Sequence, residues 1–367
     1  MHKRSPSRSR SETSLAAQGY RMPAEWAPHA ATWITWPHND ETWPGKFETS
    51  EPVYAEMVAA LVRSETVHVN VQSADHGERV RRLLEAGGVL VGEHRGPKQE
   101  FPVVLHVLQT DNEWIRDYGA IFVTRTRRGK QERAATDWIF NAWGGKYPGT
   151  DRNNRVPQYM AAWEDVPRHA YKLVLEGGSI DADGAGLLLT TEACLLNPNR
   201  NPGMIKSVAE KYLRDAFGVQ HILWLGEGIV GDDTDGHIDD ITRFVAPHTV
   251  VTAVEQDPQD ENYEVLQTNL RRLRNMQPNG VPLKVLELPM PPPIHHEGNR
   301  LPASYANFYI GNRVVLLPAY SHPNDDLAAD VLRGCFPDRE VVLIDCRDLI
   351  WGLGAFHCLT QQVPVGV

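Results

Sequence analysis

The sequence has 367 residues, of which 41% are hydrophobic and 23% charged, a balance typical of a globular protein with a large core. Its formal net charge is −10, so nothing in the overall charge favours capture of a nucleic-acid backbone. An acidic protein suits a cationic partner, although mild acidity also serves solubility alone.

The first nineteen residues are basic and rich in serine, and they contain no apolar stretch of the length that a secretory signal needs. We predict a disordered tail over residues 1–19, with a transit peptide as the alternative. No later segment approaches the ~20 apolar residues that a membrane-spanning helix requires. The sequence therefore predicts a soluble, cytoplasmic protein with no membrane partner.

The chain alternates between helical and strand patterns. Residues 51–65 place apolar side chains at helical spacing behind Ser50, which is the predicted N-cap. Residues 66–73 alternate valines in period two, which predicts a strand, and residues 76–88 predict a second helix that ends in two glycines. Because this alternation continues without a long linker, the sequence predicts an α/β fold in which strands slightly outnumber helices.

The first polar cluster stands immediately before a predicted strand. It contains Asp111, Glu113 and Asp117 around Trp114 and Arg116. Loops at strand ends carry function in many α/β proteins. A solvated loop in which Arg116 neutralises a neighbour is the alternative.

The second cluster is Glu176, Gly177 and Gly178 at the end of an apolar strand. A buried carboxylate needs a partner, and the two glycines permit close approach of a ligand or unusual dihedral angles. A plain Gly-Gly turn beside a solvated glutamate is the alternative.

The third cluster packs six ionisable residues into nine positions: Asp232, Asp233, Asp235, His237, Asp239 and Asp240. An EF-hand is excluded because the glutamate that ends the calcium loop is missing. On an extended segment His237 and Asp239 would face the same side, which places a proton carrier beside a carboxylate.

The fourth cluster contains Cys358 directly after His357 in a glycine-containing stretch. None of the four cysteines has the spacing of a zinc ribbon, and Cys358 could be a small buried apolar residue. Taken with a histidine, however, it is the minimum for nucleophilic catalysis. The many carboxylates would raise the pKa of the thiol unless the substrate brings positive charge, and a guanidinium fits them.

The chain resembles the agmatine deiminases of the guanidino-group-modifying superfamily over nearly its whole length. The motifs that carry this resemblance occur in the family's order: MPAEWAPHAATWITWP, NEWIRDYGAIFV, WGGKYP, LEGGSID, LLTTEACLLNPNRNP, DDTDGHIDD, LPASYANFYIGN and HCLTQQ. The resemblance implies a five-bladed α/β propeller, or pentein, with pseudo-fivefold symmetry. It also implies one deiminase catalytic domain over residues 20–367, no metal or organic cofactor, and a homodimer or larger homo-oligomer.

The resemblance further implies the roles of individual residues. Cys358 is the nucleophile, His237 the general acid and base, and Glu176 the carboxylate that orients substrate and histidine. Asp117 and Asp239 grip the guanidinium. The implied reaction is hydrolysis of agmatine to N-carbamoylputrescine and ammonia through a covalent amidino-cysteine.

The far end of the substrate is assigned less directly. Trp114 or Trp143 could cover its alkyl chain or contact its amine, although a core position explains either aromatic ring. The family's usual glycine triplet and Asn-Ile before the His-Cys pair are replaced here by Leu353, Ala355 and Phe356 within GLGAFHC. This departure leaves open a deiminase that acts on free or peptidyl arginine.

Two other function classes remain as rivals. A zinc hydrolase would gather ligands from His237, Asp239, His295, His296 and His357, although no HExxH motif is present. A non-catalytic polyamine-binding protein would need the carboxylates but no thiol.

Overall fold

The computed structural model describes residues 13–92 and 99–366. Residues 1–12 of the predicted tail therefore lie outside the described residues. Within the rest of that segment, Leu15 is buried in the same apolar cluster as Phe217, and Ala16 donates its backbone N–H to the Asp215 carbonyl oxygen over 3.0 Å. The predicted tail thus extends too far, because Leu15 supplies an apolar side chain to a core cluster.

The described part of the chain is a mixed α/β structure. Its strands are β1 (His29–Thr35), β2 (Thr66–Val71), β3 (Val103–Val107), β4 (Ile121–Arg127), β5 (Lys130–Ile139), β6 (Arg168–Val174), β7 (Asp181–Ala182), β8 (Leu187–Thr191), β9 (His221–Leu225), β10 (Thr242–Ala246), β11 (Thr249–Val254), β12 (Lys284–Pro289), β13 (His295–His296), β14 (Asn299–Arg300), β15 (Tyr309–Ile310), β16 (Val314–Ala319), β17 (Glu340–Asp345) and β18 (Thr360–Pro364).

Helices connect these strands. The α-helices are α1 (Phe47–Leu61), α2 (Ala74–Ala86), α3 (Ile115–Tyr118), α4 (Ala142–Gly145), α5 (Val156–Trp163), α6 (Glu192–Leu195), α7 (Lys206–Phe217), α8 (Tyr263–Asn275) and α9 (Pro323–Cys335). Short 3-10 helices span Asn153–Arg155, Gly177–Ser179, Ile238–Asp240, Pro278–Gly280, Tyr305–Asn307 and Leu349–Gly352.

Five sheets repeat one strand order. In β4-β5-β6, β7-β8-β9, β10-β11-β12 and β15-β16-β17, the first pair is antiparallel and the second pair is parallel. The remaining large sheet, β18-β1-β2-β3, begins with the same pattern, since β18 is antiparallel and β2 parallel to β1. Each parallel pair needs a crossover, which α1, α5, α7, α8 and α9 supply in the repeated pattern and α2 supplies between β2 and the parallel β3.

The repeated order places five short segments in equivalent positions. Each precedes the first strand of a sheet, and each carries a polar residue: Asp117 before β4, Glu176 before β7, Asp239 before β10, Asn307 before β15 and Cys358 before β18. Apolar side chains of the strands and crossover helices pack into three clusters among the described residues.

The first predicted helix begins four residues earlier than the sequence pattern indicates. Helix α1 starts at Phe47, so Ser50 is not its N-cap. Instead, the hydroxyl groups of Thr49 and Ser50 donate to the carbonyl oxygen of Lys46 at 3.0 and 2.9 Å. The predicted strand after it and the second helix are both confirmed, as β2 and α2.

No helix in residues 13–92 and 99–366 has both the length and the apolar character needed to cross a membrane.

Candidate active site

Cys358 is buried, with 5% of the residue exposed. The side-chain amide of Asn307 contacts the thiol. Its Nδ2 donates to the Cys358 sulfur over 3.0 Å and to Asp240 Oδ1 over 2.9 Å. The other side of the same amide, Oδ1, accepts the backbone N–H groups of Ala355, His357 and Cys358 at 3.1–3.3 Å. Asn307 therefore fixes both the loop and the thiol.

Burial raises the pKa of the Cys358 thiol well above its usual value, and the carboxylates of Asp239, Asp240 and Asp117 raise it further. The Asn307 hydrogen bond opposes these effects only in part. The unliganded thiol is therefore protonated at neutral pH, as the clustering of acidic residues in the sequence predicts. A cation bound beside the sulfur would reverse the electrostatic part of this shift.

His237 is fully buried among carboxylates. Its Nδ1 lies 3.7 Å from Asp117 Oδ1 and 3.9 Å from Asp239 Oδ1, and its Nε2 lies 3.9 Å from Glu176 Oε2. Neither ring nitrogen has a hydrogen-bond partner. Burial by itself lowers the pKa of His237, but Asp117, Cys194 and Glu176 more than compensate and raise it well above its ordinary value. His237 is thus available as a cationic acid.

Asp117 is held from two sides. Its Oδ1 accepts the Gly178 backbone N–H over 3.0 Å, and its Oδ2 accepts the Trp143 indole N–H over 2.8 Å. Trp143 reaches this position from left-handed backbone, with φ of 54° at Ala142 and 52° at Trp143. Each carboxylate oxygen retains a lone pair that could accept from a ligand.

Glu176 is anchored by an arginine. Arg200 Nε donates to Glu176 Oε1 over 2.7 Å, and the thiol of Cys194 lies 4.0 Å from Glu176 Oε2. Burial raises the pKa of Glu176, but the nearby His237 ring and the Arg200 guanidinium outweigh burial and lower it. This carboxylate is therefore a charged neighbour of His237.

Asp239 faces both the thiol and His357. Its Oδ2 lies 2.7 Å from His357 Nδ1 and 3.5 Å from the Cys358 sulfur, while its Oδ1 is buried without a hydrogen-bond partner. The predicted extended segment is wrong here, because Ile238–Asp240 is a 3-10 helix that begins after His237. The turn nevertheless brings His237 and Asp239 together.

Gly178 forms the back of this group. A Cβ atom at this position would lie 2.6 Å from His237 Nδ1, 2.9 Å from Asp117 Oδ1 and 3.0 Å from Asp239 Oδ2. Only glycine fits, which explains the second glycine of the Gly-Gly pair that follows Glu176 in the sequence.

The other acidic residues of the sequence clusters have structural partners. Asp111 accepts the backbone N–H of Arg152 over 2.9 Å, and Glu113 accepts that of Asn39 over 2.9 Å. Asp232 accepts the backbone N–H of His237 over 3.1 Å and so shapes the turn that presents the histidine. These residues support the loops and do not face the thiol.

The altered loop before Cys358 packs against Trp114. A Cβ atom at Gly354 would lie 2.7 Å from the Trp114 ring and 3.1 Å from Cys358 Cβ, so the ring stands close to the thiol. Leu353 adopts left-handed backbone with φ of 69°, whereas Phe356 is fully buried. Trp114 also tilts against Trp43, with ring centroids 5.8 Å apart, so it belongs to the core as well as to the site.

Two groups among the described residues have metal-ligand atoms within 4.8 Å of one another: Glu176, Cys194 and His237 form one, and Asp239, Asp240 and Cys358 form the other. His295 and His296 belong to neither group. They form β13, where the ring of His296 lies 3.7 Å from that of Trp351.

Sequence patterns alone miss three residues of the site: Asn307, Arg200 and Cys194. All three lie in the motifs that carry the family resemblance, LPASYANFYIGN and LLTTEACLLNPNRNP. Their position within those motifs is the signal that could have found them.

Comparison with known proteins gives consistent matches over nearly the whole chain. A model of the Porphyromonas-type peptidyl-arginine deiminases matches residues 21–364. Agmatine deiminase of Pseudomonas aeruginosa is 36% identical, with 95% of this chain and 96% of that protein covered. Among solved structures, the agmatine deiminase of Enterococcus faecalis superposes with a TM-score of 0.86 at 32% identity and covers 96% of this chain and 98% of its own. A putative arginine deiminase from Porphyromonas gingivalis superposes with a TM-score of 0.82 at 35% identity, with 94% and 98% covered.

Proposed function

We propose that this chain, which belongs to the Porphyromonas-type peptidyl-arginine deiminase family, hydrolyses agmatine to N-carbamoylputrescine and ammonia. The observation that carries the proposal is the buried group of Asp117, His237 and Asp239 around the Cys358 thiol. Relatives named agmatine deiminase, 35–36% identical over nearly the whole chain, support agmatine as the guanidinium compound.

Substrate binding comes first. Asp117 and Asp239 accept N–H groups of the planar guanidinium, which matches paired carboxylates in shape and charge. The cation lowers the free energy of the Cys358 thiolate beside it, so the thiol releases its proton to solvent when the substrate binds, and binding and activation are coupled. The Trp114 ring is the proposed cover for the alkyl chain of the substrate.

The sulfur then attacks the central guanidinium carbon. The C–S bond forms, the tetrahedral adduct collapses, and ammonia leaves with a proton from His237. His237 next takes a proton from water, which attacks the amidino-cysteine carbon and releases the thiol and the ureido product. Glu176 orients the histidine in both steps, and no metal or organic cofactor takes part.

We also propose an architecture, a cellular location and an oligomeric state for the protein. The repeated strand order of the five sheets supports a five-bladed propeller with pseudo-fivefold symmetry, centred on the five segments that precede β4, β7, β10, β15 and β18. Residues 20–367 then form one catalytic domain. We propose that the protein acts in the cytoplasm as a homodimer or larger homo-oligomer.

Free or peptidyl arginine is the second candidate, favoured by the name of the P. gingivalis relative and by that of the matching family. The test is ammonia release from agmatine, arginine and a blocked arginyl peptide, with the ureido product identified by mass spectrometry. Release from agmatine alone supports the proposal. Release only from an arginine compound keeps the chemistry but reassigns the substrate, and agmatine binding without ammonia from any compound indicates a polyamine-binding protein.

A further inference from the structure

Glu25 is a buried carboxylate from the segment before β1, far in sequence from the cysteine loop. Its Oε1 accepts the backbone N–H of Ile310 over 2.8 Å, and the residue is 4% exposed. It lies in the motif MPAEWAPH, to which the proposed reaction assigns no role. A buried carboxylate is costly unless charged or polar partners compensate it.

Three basic side chains meet Glu25 Oε2. His357 Nε2 lies 2.8 Å away, Arg243 Nη2 2.9 Å and Arg116 Nη2 3.5 Å. Arg243 and Arg116 are tied to other groups too, since Arg243 Nη1 donates to the Phe308 carbonyl over 2.8 Å and Arg116 Nε to the His357 carbonyl over 3.1 Å. The arginines therefore have other anchors, whereas His357 stands directly between Glu25 and the site.

The imidazole of His357 joins two carboxylates. While Nε2 contacts Glu25, Nδ1 lies 2.7 Å from Asp239 Oδ2, and all three residues are buried. The contact with His357 occupies one oxygen of Asp239 and leaves Oδ1 without a partner, 3.9 Å from His237 Nδ1. A carboxylate held by one oxygen presents the other in a fixed direction, which is what a guanidinium ligand requires.

We propose that Glu25 and His357 are positioning residues for guanidinium binding: Glu25 holds the His357 ring, which holds Asp239 so that its free oxygen faces the substrate. The inference rests on the proposed function, because the ligand that meets Asp239 Oδ1 is the guanidinium. It assigns no chemical step to either residue.

Two replacements of His357 separate the two contacts of the ring. The amide of His357→Asn can place its N–H near the position of Nδ1 and so keep a donor to Asp239. It is too short to keep the contact with Glu25. The longer His357→Gln can reach toward Glu25 but leaves Asp239 Oδ2 without its donor. A merely structural role would make the two variants equally defective.

The expected result is a difference in KM and in agmatine affinity. Because a hydrogen bond to a charged group contributes about tenfold or more in an equilibrium constant, KM should rise at least about tenfold in His357→Gln and less than about threefold in His357→Asn. Glu25→Gln, which keeps the His357 ring and an uncharged acceptor for it, should raise KM no more than His357→Asn does. In all three variants kcat should fall less than KM rises.

The matched control is Glu65→Gln. Glu65 is equally buried and faces His29 Nδ1 over 3.3 Å, but it does not contact Asp239. Its KM should equal that of the wild type, and melting temperatures identify any variant that fails to fold.

Affinity is also measured by calorimetry with agmatine, each variant being placed in the Cys358→Ser background. Equal KM and affinity in His357→Gln and His357→Asn overturn the inference, as does a loss confined to kcat. If the wild type binds agmatine without releasing ammonia, the proposed reaction fails while the affinities still test the positioning role. A wild type that neither binds nor converts agmatine overturns both.

Discussion

The residues around the Cys358 thiol differ in how burial and nearby charges shift their pKa values. Four carboxylates, those of Asp117, Glu176, Asp239 and Asp240, approach Cys358 or His237, yet they are not equivalent. Burial, with Asp239 adding to it, raises the pKa of Asp240 well above its usual range, whereas contact with His357 outweighs burial and lowers the pKa of Asp239. The pKa values of these two neighbouring carboxyl groups therefore shift in opposite directions, and Asp240 Oδ1 accepts a hydrogen bond from Asn307 Nδ2.

The raised pKa of Cys358 gives the first prediction. Alkylation of the free enzyme should reach its half-maximal rate above pH ~8.5, the value of an ordinary cysteine, because burial and the nearby carboxylates disfavour the thiolate. A small guanidinium compound should move the midpoint to lower pH. The measurement uses the Cys335→Ser background, since Cys335 is half-buried and Cys194 and Cys346 are fully buried. A midpoint far below 8.5 without ligand would refute the account of the thiol.

Gly178 gives the second prediction. In Gly178→Ala the new methyl group would meet His237, Asp117 and Asp239 within 3.0 Å, so these groups must move apart. We expect a loss of about 10² in kcat/KM, the size of effect that a 1 Å misplacement causes.

The control for Gly178 is Gly334→Ala in α9, where an added methyl group would have no neighbour within 4 Å. This variant should fold normally, because alanine is a better helix former than glycine. It should keep wild-type activity, because the added methyl group displaces no neighbour. Normal turnover in Gly178→Ala would show that the close approach has no role.

At the scale of elements, β2 and β3 share a buried histidine pair. His68 Nδ1 lies 2.9 Å from His106 Nε2, and both rings stack on Trp33. Burial lowers the pKa of His68 to about 3, with His106 adding to the shift, and burial lowers that of His106 to about 4. The folded state therefore keeps both rings neutral.

The buried pair of His68 and His106 should make the folded protein less stable as the pH falls. Because both folded pKa values lie below the unfolded value of 6.5, the unfolded state binds more protons and the full stability is present only above pH 6.5. It is lost as pH falls from 6.5 toward about 4, at up to about 1.4 kcal/mol per pH unit for each histidine.

The measurement is the free energy of unfolding at pH 7 and pH 5. The double variant His68→Gln/His106→Gln should lose up to about 4 kcal/mol less than the wild type over this interval, about 2 kcal/mol for each histidine. A His295→Gln control, at an exposed position, should lose as much as the wild type. Equal losses in all three proteins would contradict the histidine assignment.

The sequence predicts the elements better than their boundaries. Period-two and helical patterns identify β2 and α2, because each has one buried face. The start of α1 is missed because Ser50 resembles a cap, while its hydroxyl in fact bonds within the first turn. The 3-10 helix at Ile238–Asp240 is missed because it is too short to show any periodicity.

At the scale of the molecule, the site depends on contacts between distant parts of the chain. The α/β class follows from alternating patterns, and the family resemblance names Cys358, His237, Glu176, Asp117 and Asp239 as the predicted site. It cannot show that β18 pairs with β1, which joins the two ends of the described chain. That pairing brings Glu25 to His357, a contact that no local pattern contains.

Asn307 illustrates the same limit. As one asparagine in a loop motif it is indistinguishable from a turn residue. Only the repeated strand order shows that it stands before β15 as Asp117 stands before β4 and Cys358 before β18. The place of Asn307 in the site is therefore recognised only when the five sheets are compared with one another.

Ammonia release from agmatine is the decisive test of the proposal that Cys358 is the nucleophile of a guanidinium hydrolase. Wild type and Cys335→Ser should release ammonia at equal rates, while Cys358→Ser should release none above the uncatalysed rate and still bind agmatine. Ammonia release by a folded Cys358→Ser at a rate near that of the wild type would contradict the account.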